Sequence, residues 1–443
     1  MESGPTSHDI EQQWALLNAP QLPVQVDSPC TIGRGILPFS DTLGQLADQA
    51  FAQLAPVDAL RFIPASGAAT RMFAGLKSEE PSVRAAYLAA IDRLEASSSS
   101  AGQRSALGMP LWSTGPKGAV PFHPGGRTAF EDQLAQWAAT LPGAALMFTL
   151  PHVEEPMPAW WIALQAAAVR EGVQMNNSLQ LASTQTISQN EEGGRFLDGS
   201  GALLLRPGGH GALIANLNAL DVPLISVVNI DNVQPVSQQA ATIASRRRLI
   251  GLAAHILKER DAVLEELRSA QRSESSVVKA AQAWLALGFS EPSANLPADA
   301  DALLEQIDRP FRIVGVVKNA GQPGGGPFWV RNAQGQLATQ IVERAELPAS
   351  GPDVERLLLA ASHFNPVDMV LCGQGYDLED WIDHTRWLHV HKSHAGRPLK
   401  GLERPGLWNG AMGQWNTLMV EVPASTFAPV KTVLDLSLPA HQG

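Results

Sequence analysis

Apolar positions along the chain gather into short runs separated by amphipathic stretches, the rhythm of strands alternating with helices. A helix is expected at about 41–55, where Leu43, Leu46, Ala47, Ala50, Phe51 and Leu54 share one face and Asp41 stands at the N-cap position. It leads into a short buried strand at Phe62-Ile63, broken at Pro64. Thr128 predicts a capped helix from Ala129, AALMFTL (144–150) a strand, 158–171 an amphipathic helix and LQLAST (179–184) a further strand. After a helix at 212–220 comes LISVVNI, an unbroken apolar run of the kind a central parallel strand buried on both faces requires. Helices over 236–270, 275–288 and 299–307 follow, with Arg246-Arg247-Arg248 read as a solvated face. RIVGVVKN (312–319) and QIVERAEL then read as strands. The alternation predicts an α/β fold: a Rossmann-like, mixed but mostly parallel central sheet with helices on both faces. An N-terminal arm (1–45) precedes the core (46–330), and a C-terminal α+β portion (331–443) completes the site. Within the core, 77–114 reads as an excursion: a helix at Ser82–Leu94, then the low-complexity ASSSSAGQ.

Composition narrows the class. The 443 residues are 45% hydrophobic and 17% charged, enough for a large core, and the net charge is −11 with Lys and Arg scattered. That balance argues against a nucleic-acid or anionic-membrane partner. Cys30 and Cys372 form neither a metal spacing nor a disulfide framework, which fits a reducing compartment. The opening MESGPTSHDIEQQW lacks the basic and apolar regions of a signal peptide, and no apolar run approaches the roughly 18 residues a membrane span needs. A cytoplasmic location is expected.

Chemistry concentrates in a few turns. After Pro64 come Ala65-Ser66-Gly67-Ala68-Ala69, then Thr70-Arg71-Met72-Phe73 as the expected start of a helix. Small residues there let backbone N–H groups and a helix N-terminus hold an anion, with Arg71 placed to fork onto a phosphate. The same turn also serves purely structural ends in α/β proteins. Lys117 stands in the Gly115-Pro116-Lys117-Gly118 turn, either solvated or facing the crevice of the first loop. His152, Glu154 and Glu155 have the look of metal ligands but lack a second cluster. Arg206-Pro207-Gly208-Gly209-His210-Gly211 is either a turn with a capping histidine or a place where a planar group nears the backbone. Asp231-Asn232 ends the LISVVNI strand, where open α/β sheets place ligands. A lone Asp there suits Mg²⁺ held against phosphates, or else caps a helix. Lys318 ends a buried strand, Gly324-Gly325-Gly326 precedes Phe328-Trp329 as a lid or hairpin, Glu343 faces a ligand hydroxyl or solvent, and Lys431 follows Pro429-Val430.

Together these blocks resemble the UDP-sugar pyrophosphorylases, nucleotidylyltransferases with a Rossmann-like sheet of the kind also seen in glycosyltransferases. The family's G-x-G-T-x-M loop is similar to Gly67-Ala68-Ala69-Thr70-Arg71-Met72, its Gly-Pro-Lys-Gly to 115–118, and its Pro-Pro-Gly-His-Gly to 207–211. Its Asn-x-Asp-Asn resembles Asn229-Ile230-Asp231-Asn232, and its late Leu-Pro-Val-Lys with a following Asp-Leu resembles 428–431 and Asp435-Leu436. The whole chain looks closer still to an uncharacterised bacterial family carrying PASGAATRMF, RPGGHGAL, NIDNV, PGGGPFWV and WNGAM. Ala69 departs from the pattern, placing a methyl where the second glycine would admit a phosphate, and an insertion separates Arg71 from Lys117.

The resemblance implies transfer of a nucleotidyl group from an NTP (UTP or CTP) to a phosphorylated acceptor such as a sugar 1-phosphate, with Mg²⁺. Ser66, Gly67, Ala68, Ala69 and Thr70 would cradle the phosphates with Arg71, while Gly209, His210 and Gly211 would flank the base or ribose. Lys117 would reach the α-phosphate, Asp231 would hold the metal, and Lys431 would bind the acceptor's phosphate. Lys318, Glu343, Asn365 and Asn409 are assigned to the acceptor side, with Trp408 and Trp415 either stacking on a sugar or serving the core. The rivals are a non-catalytic nucleotide-binding protein and a glycosyltransferase on the same sheet, whose Asp-x-Asp metal motif Asn229-Ile230-Asp231 only half supplies.

Overall fold

The computed structural model describes residues 4–97, 115–151, 157–269, 273–289, 296–321, 325–331, 335, 337–348, 352–406 and 414–442. Most of the 96–103 low-complexity run, His152, Glu154, Glu155, Gly324, Trp408, Asn409 and the side chain of Thr70 lie outside the described residues.

A ten-stranded sheet organises the chain. From one edge its order is Met175–Leu179, Ala145–Leu150, Ala59–Pro64, Leu224–Val228, Asp368–Cys372, Phe311–Lys318, Asn416–Glu421, Gly35–Leu37 and Thr31–Ile32, with His363–Phe364 paired off this path to Phe311–Lys318. Neighbours along the path are parallel except for the two pairs made by Asp368–Cys372. The sheet is therefore mixed and mostly parallel, as the alternation of strands and helices implies. The carboxyl ends of Ala59–Pro64, Ala145–Leu150, Leu224–Val228, Phe311–Lys318 and Asn416–Glu421 consequently open on one edge.

The central run behaves as its sequence demands. All five residues of Leu224–Val228 are buried; Leu224 and Val228 enter one apolar cluster, Ile225 and Val227 the opposite one. Long helices cover the first face. Asp41–Ala52 crosses Ala240–Arg268 so closely that a methyl on Gly251 would lie 2.0 Å from the carbonyl oxygen of Ala47. Thr128 caps Ala129–Thr140 in a capping box with Glu131. The other face carries a thinner cover: the short helix Ile214–Asn218 and a three-stranded sheet of Val26–Pro29, Gly326–Arg331 and Leu337–Val342, whose Trp329 and Ile341 join the second cluster.

Several sequence expectations are corrected. The N-cap of the 41–52 helix is Ser40, whose hydroxyl accepts from the Leu43 N–H; Asp41 sits in the first turn. The expected strand at 179–184 lies instead at Met175–Leu179, paired with Leu146–Leu150, and Ala182–Thr184 forms a 3₁₀ turn. An edge strand with one neighbour tolerates polar residues such as Asn176 and Asn177, so its apolar alternation is faint. The 212–220 helix shrinks to Ile214–Asn218 behind a 3₁₀ turn at His210–Leu213, and QIVERAEL leaves its strand after Val342 for a turn at Arg344–Glu346. Arg246 is not on a solvated face: it is buried, its Nε 2.9 Å from Asp368 Oδ2. Arg247 donates to the Thr140 and Ala139 carbonyls, and of the three only Arg248 pairs at the surface, with Asp48. No helix among the described residues is long and apolar enough to cross a membrane.

Candidate active site

The site grows from the loop after Ala59–Pro64. The Ala65 N–H donates to the Thr149 carbonyl, which ties the loop to the adjacent strand. Gly67 then accepts from the Lys117 N–H at 3.1 Å, and Ala68 bridges to Pro116, so two turns far apart in sequence form one wall. The N–H groups of Ser66 and Gly67 donate to no group among the described residues, and Gly67 is exposed with nothing within 4 Å of where its Cβ would stand.

Beyond Gly67 two expectations change. A 3₁₀ turn, Ala69–Arg71, replaces the expected helix, because Met72 and Phe73 dive into the core and the chain turns again at Ala74–Lys77. A helix dipole is therefore absent here, and anion binding rests on backbone donors and nearby cations. Ala69 is 1% exposed and belongs to the apolar core, so its methyl points away from the crevice instead of obstructing it.

Asp231, just past Leu224–Val228, is the focus. Lys117 Nζ lies 2.7 Å and Lys431 Nζ 3.2 Å from the same oxygen, Oδ2. The second oxygen, Oδ1, is buried and has no hydrogen-bond partner among the described residues. Burial by itself raises the Asp231 carboxyl, but the ammonium groups of Lys431 and Lys117 outweigh it and hold the pKa below the usual carboxylate range. Burial pushes the Lys117 ammonium down, opposed by Asp231 and reinforced by Lys431 and Arg71. Arg71 itself is exposed.

Backbone contacts fix this geometry. Val430 N–H donates to the Asp231 carbonyl at 2.9 Å, and the Asn232 side chain spans Ala428 N–H and the Thr426 carbonyl. Gln133 Nε2 donates to the Asn229 carbonyl from the capped helix. Asp435 receives the N–H groups of Lys431 and Thr432 at 2.8 and 2.7 Å, and Val433 N–H donates to the Met72 carbonyl.

His210 stands exposed at the rim, within charge range of Glu403, Lys392, Arg71 and Lys431. At the glycines beside it the Cβ positions are taken by the chain itself. A methyl on Gly211 would lie 2.0 Å from the Pro405 carbonyl oxygen, one on Gly208 would lie 2.5 Å from that of Thr184, and one on Gly209 would touch Glu403 at 3.0 Å. Thr184 and the chain's 403–405 stretch demand them. Glu403, paired with Lys392 at 2.6 Å, also acts on Glu343: burial first, then that neighbouring carboxylate, lifts Glu343 to about 7. Neutralising Glu343 should therefore favour the fold at alkaline pH. The folded state binds more protons than the unfolded chain between about 4.5 and about 7, so wild-type stability falls as pH rises through that window. Glu343→Gln is expected to match wild type in melting temperature at pH 4.5 and to exceed it by about 1–3 °C at pH 8; equal values at both pH would refute the assignment.

Two acceptor-side assignments do not join this cluster. Lys318 is exposed, 4.0 Å from Glu421, and lines a separate cavity of about 670 Å³ with Phe39, Ser245 and Arg248. Asn365 is buried with both ends of its amide engaged by backbone: Nδ2 donates to the Gly315 carbonyl and Oδ1 accepts from Val367 N–H at 2.6 Å. It braces Val367, whose φ of 58° needs such support. Trp415 belongs to the core, 2% exposed.

Sequence reading missed Gln133, Glu403 and Lys392. The last two lie on a hairpin, Leu388–His394 and Arg397–Glu403, whose signal was the Ala395-Gly396 turn with both φ angles positive. Gln133 carried none, being one polar residue on a helix. Among the described residues no group of three or more His, Cys, Asp or Glu side chains is arranged to hold a metal ion.

Comparisons place the chain as follows. The family described as "Domain of unknown function (DUF4301)" matches residues 1–95 and 109–442. No curated protein matches. Among solved structures, the chain is similar to a uridine diphosphate N-acetylglucosamine pyrophosphorylase from Trypanosoma brucei, at 13% identity and a TM-score of 0.49, over 96% of this chain and 74% of that one. It is similar to the UDP-glucose pyrophosphorylase from Leishmania major, at 14% identity and a TM-score of 0.47, over 96% and 73%. A putative UDP-N-acetylglucosamine pyrophosphorylase from Entamoeba histolytica follows at 11% identity and a TM-score of 0.45, over 90% and 82%.

Proposed function

The chain belongs to the DUF4301 family, and for this member we propose transfer of a nucleotidyl group from a nucleoside triphosphate to a phosphorylated small-molecule acceptor, with release of pyrophosphate. One observation carries the reading: a carboxylate at the end of a central strand, two ammonium groups on one of its oxygens, and the other oxygen buried and bare. Lysines drawn from turns on either side of one Asp suit a polyanion that enters between them.

In this reading an oxygen of the acceptor's phosphate forms a bond to the α-phosphorus while the bond from that phosphorus to the β-bridging oxygen breaks. The electron pair leaves with pyrophosphate. A phosphate oxygen is already nucleophilic near neutral pH, so no general base is required, and catalysis rests on positioning and charge. Ser66 and Gly67 N–H groups, with Arg71, hold the β- and γ-phosphates. Lys117, half freed from Asp231, meets the α-phosphate and the leaving oxygen. Lys431, the more exposed lysine, receives the acceptor's phosphate. Asp231 Oδ1, lacking a donor, fits a hard cation such as Mg²⁺, which when bound supplies positive charge against the phosphates. UTP and CTP are the first nucleotides to try, and sugar 1-phosphates the first acceptors.

Pyrophosphate release with Mg²⁺ across four NTPs, each offered a pool of sugar 1-phosphates and small phosphonates, tests the proposal. Acceptor-dependent release is expected with one NTP. Lys431→Ala should raise the acceptor KM by about ten-fold or more and leave NTP affinity within about two-fold. Absence of NTP binding would overturn the reading; NTP binding without release in any pool would favour a binding protein instead.

A further inference from the structure

The proposed chemistry leaves one buried polar chain unused. Asp132, fully buried on the Ala129–Thr140 helix, has one carboxylate oxygen 2.6 Å from Arg127 Nε and the other 2.5 Å from His123 Nδ1. Across the His123 ring, Nε2 lies 3.0 Å from Nδ1 of His441, and the two rings stack at 10°. His123 and His441 are 3% and 2% exposed. The facing nitrogens lie at hydrogen-bond distance, and with Asp132 at His123 Nδ1 every ring nitrogen in the contact has a partner.

His441 lies on the same segment as Lys431. From Val430, bound to Asp231, the chain passes Lys431 and Thr432, both held by Asp435, then Val433, bound to Met72. It continues through 3₁₀ turns at Val433–Ser437 and Pro439–His441. The distal end is fastened by His441 inside and by Gln238 at the rim, which donates to the Pro439 and Gln442 carbonyls. Lys431 is thus carried on a strap anchored at both ends, one at the metal-side loop and one at the histidine pair.

We propose that His441 is a positioning residue: through His123 and Asp132 it fastens the 432–442 strap, and so fixes the backbone that presents Lys431 to Asp231. Burial, then the neighbouring His123, pushes the His441 imidazole down to about 4, so His441 is neutral at pH 7. A phenylalanine in place of His441 would keep the stack and lose the hydrogen bond, whereas asparagine can place an amide nitrogen near the Nδ1 position.

The test is amide hydrogen exchange at Lys431, Thr432 and Val433 in the full chain, for wild type, His441→Phe and His441→Asn. Phenylalanine is expected to speed exchange at the three amides by about five- to fifteen-fold, the factor for one lost hydrogen bond, with exchange in the Leu224–Val228 strand unchanged. Asparagine should restore most of the protection. In the pyrophosphate assay, His441→Phe should raise the acceptor KM several-fold with kcat within two-fold. Only this last arm rests on the proposed reaction, so its failure alone would count against that reaction and leave the strap standing. Wild-type protection in His441→Phe, or equal loss in both variants, would overturn the positioning role.

Discussion

Asp231→Asn is expected to lower acceptor-dependent pyrophosphate release by about 10³, with the fold retained. The substitution preserves volume and removes one charge, and that charge has two uses in the ligand-free protein. One oxygen balances Lys117 and Lys431; the other lies buried without a donor. An amide could still face one lysine through its carbonyl oxygen, but it would offer a weaker site for a divalent cation, and loss of one such preorganised contact costs about 10²–10³ in rate. The upper end applies because the change also leaves Lys117, with a side chain 17% exposed, short of its counter-charge. Breaking one partner of a mostly buried pair destabilises, so the melting temperature should fall by a few degrees while the unfolding transition stays cooperative. NTP affinity measured with and without Mg²⁺ separates charge balance from metal binding: the variant should bind NTP equally in both conditions, where wild type should bind better with the metal. Retention of more than about half of the wild-type rate would remove Asp231 from the chemistry.

The parts of this site legible in sequence were those whose reason is local. LISVVNI had to be a two-sided central strand, and once it was, Asp231 had to emerge at the ligand edge of the sheet. Thr128 with Glu131 announced its own helix start. Lys117 and Lys431 were visible as cations set between turn residues, though their meeting on one oxygen needed the fold, since Lys117 and Asp231 are 114 residues apart and Asp231 and Lys431 a further 200.

What sequence concealed was decided by tertiary packing. The turn at 69–71 becomes 3₁₀ because Met72 and Phe73 are claimed by the core, a demand that helix propensity does not register. Arg246 looked solvated beside two other arginines until Asp368, on the antiparallel strand, supplied a buried partner. The glycines at 208, 209 and 211 suggested ligand approach, yet their Cβ positions are taken by Thr184 and by the chain's 403–405 segment. Asn365 read as a ligand contact and proves to brace a left-handed valine. For Arg246, Gly209 and Gly211 the deciding neighbour lay more than a hundred residues away, and for Asn365 it was the strained backbone two residues on.

Lys117→Ala should reduce turnover by about 10²–10³ and NTP affinity by much less, because its charge is most useful when negative charge builds on the leaving oxygen. Arginine is not expected to rescue it, because a planar guanidinium does not reproduce the compact ammonium charge that Lys117 sets 2.7 Å from Asp231 Oδ2. The alanine variant also has a pH signature. With Lys117 gone, Asp231 keeps its burial, which raises its pKa, and loses one of the two ammonium groups that lower it. Its pKa must rise, so residual activity should fall off at higher pH than in wild type as the solution is acidified. Because both side chains act through one contact, the double variant Lys117→Ala/Asp231→Asn should be no more than a few-fold worse than Asp231→Asn alone. Fully additive losses would mean that the two residues serve separate steps, and that their 2.7 Å contact belongs to the resting protein and not to the reaction.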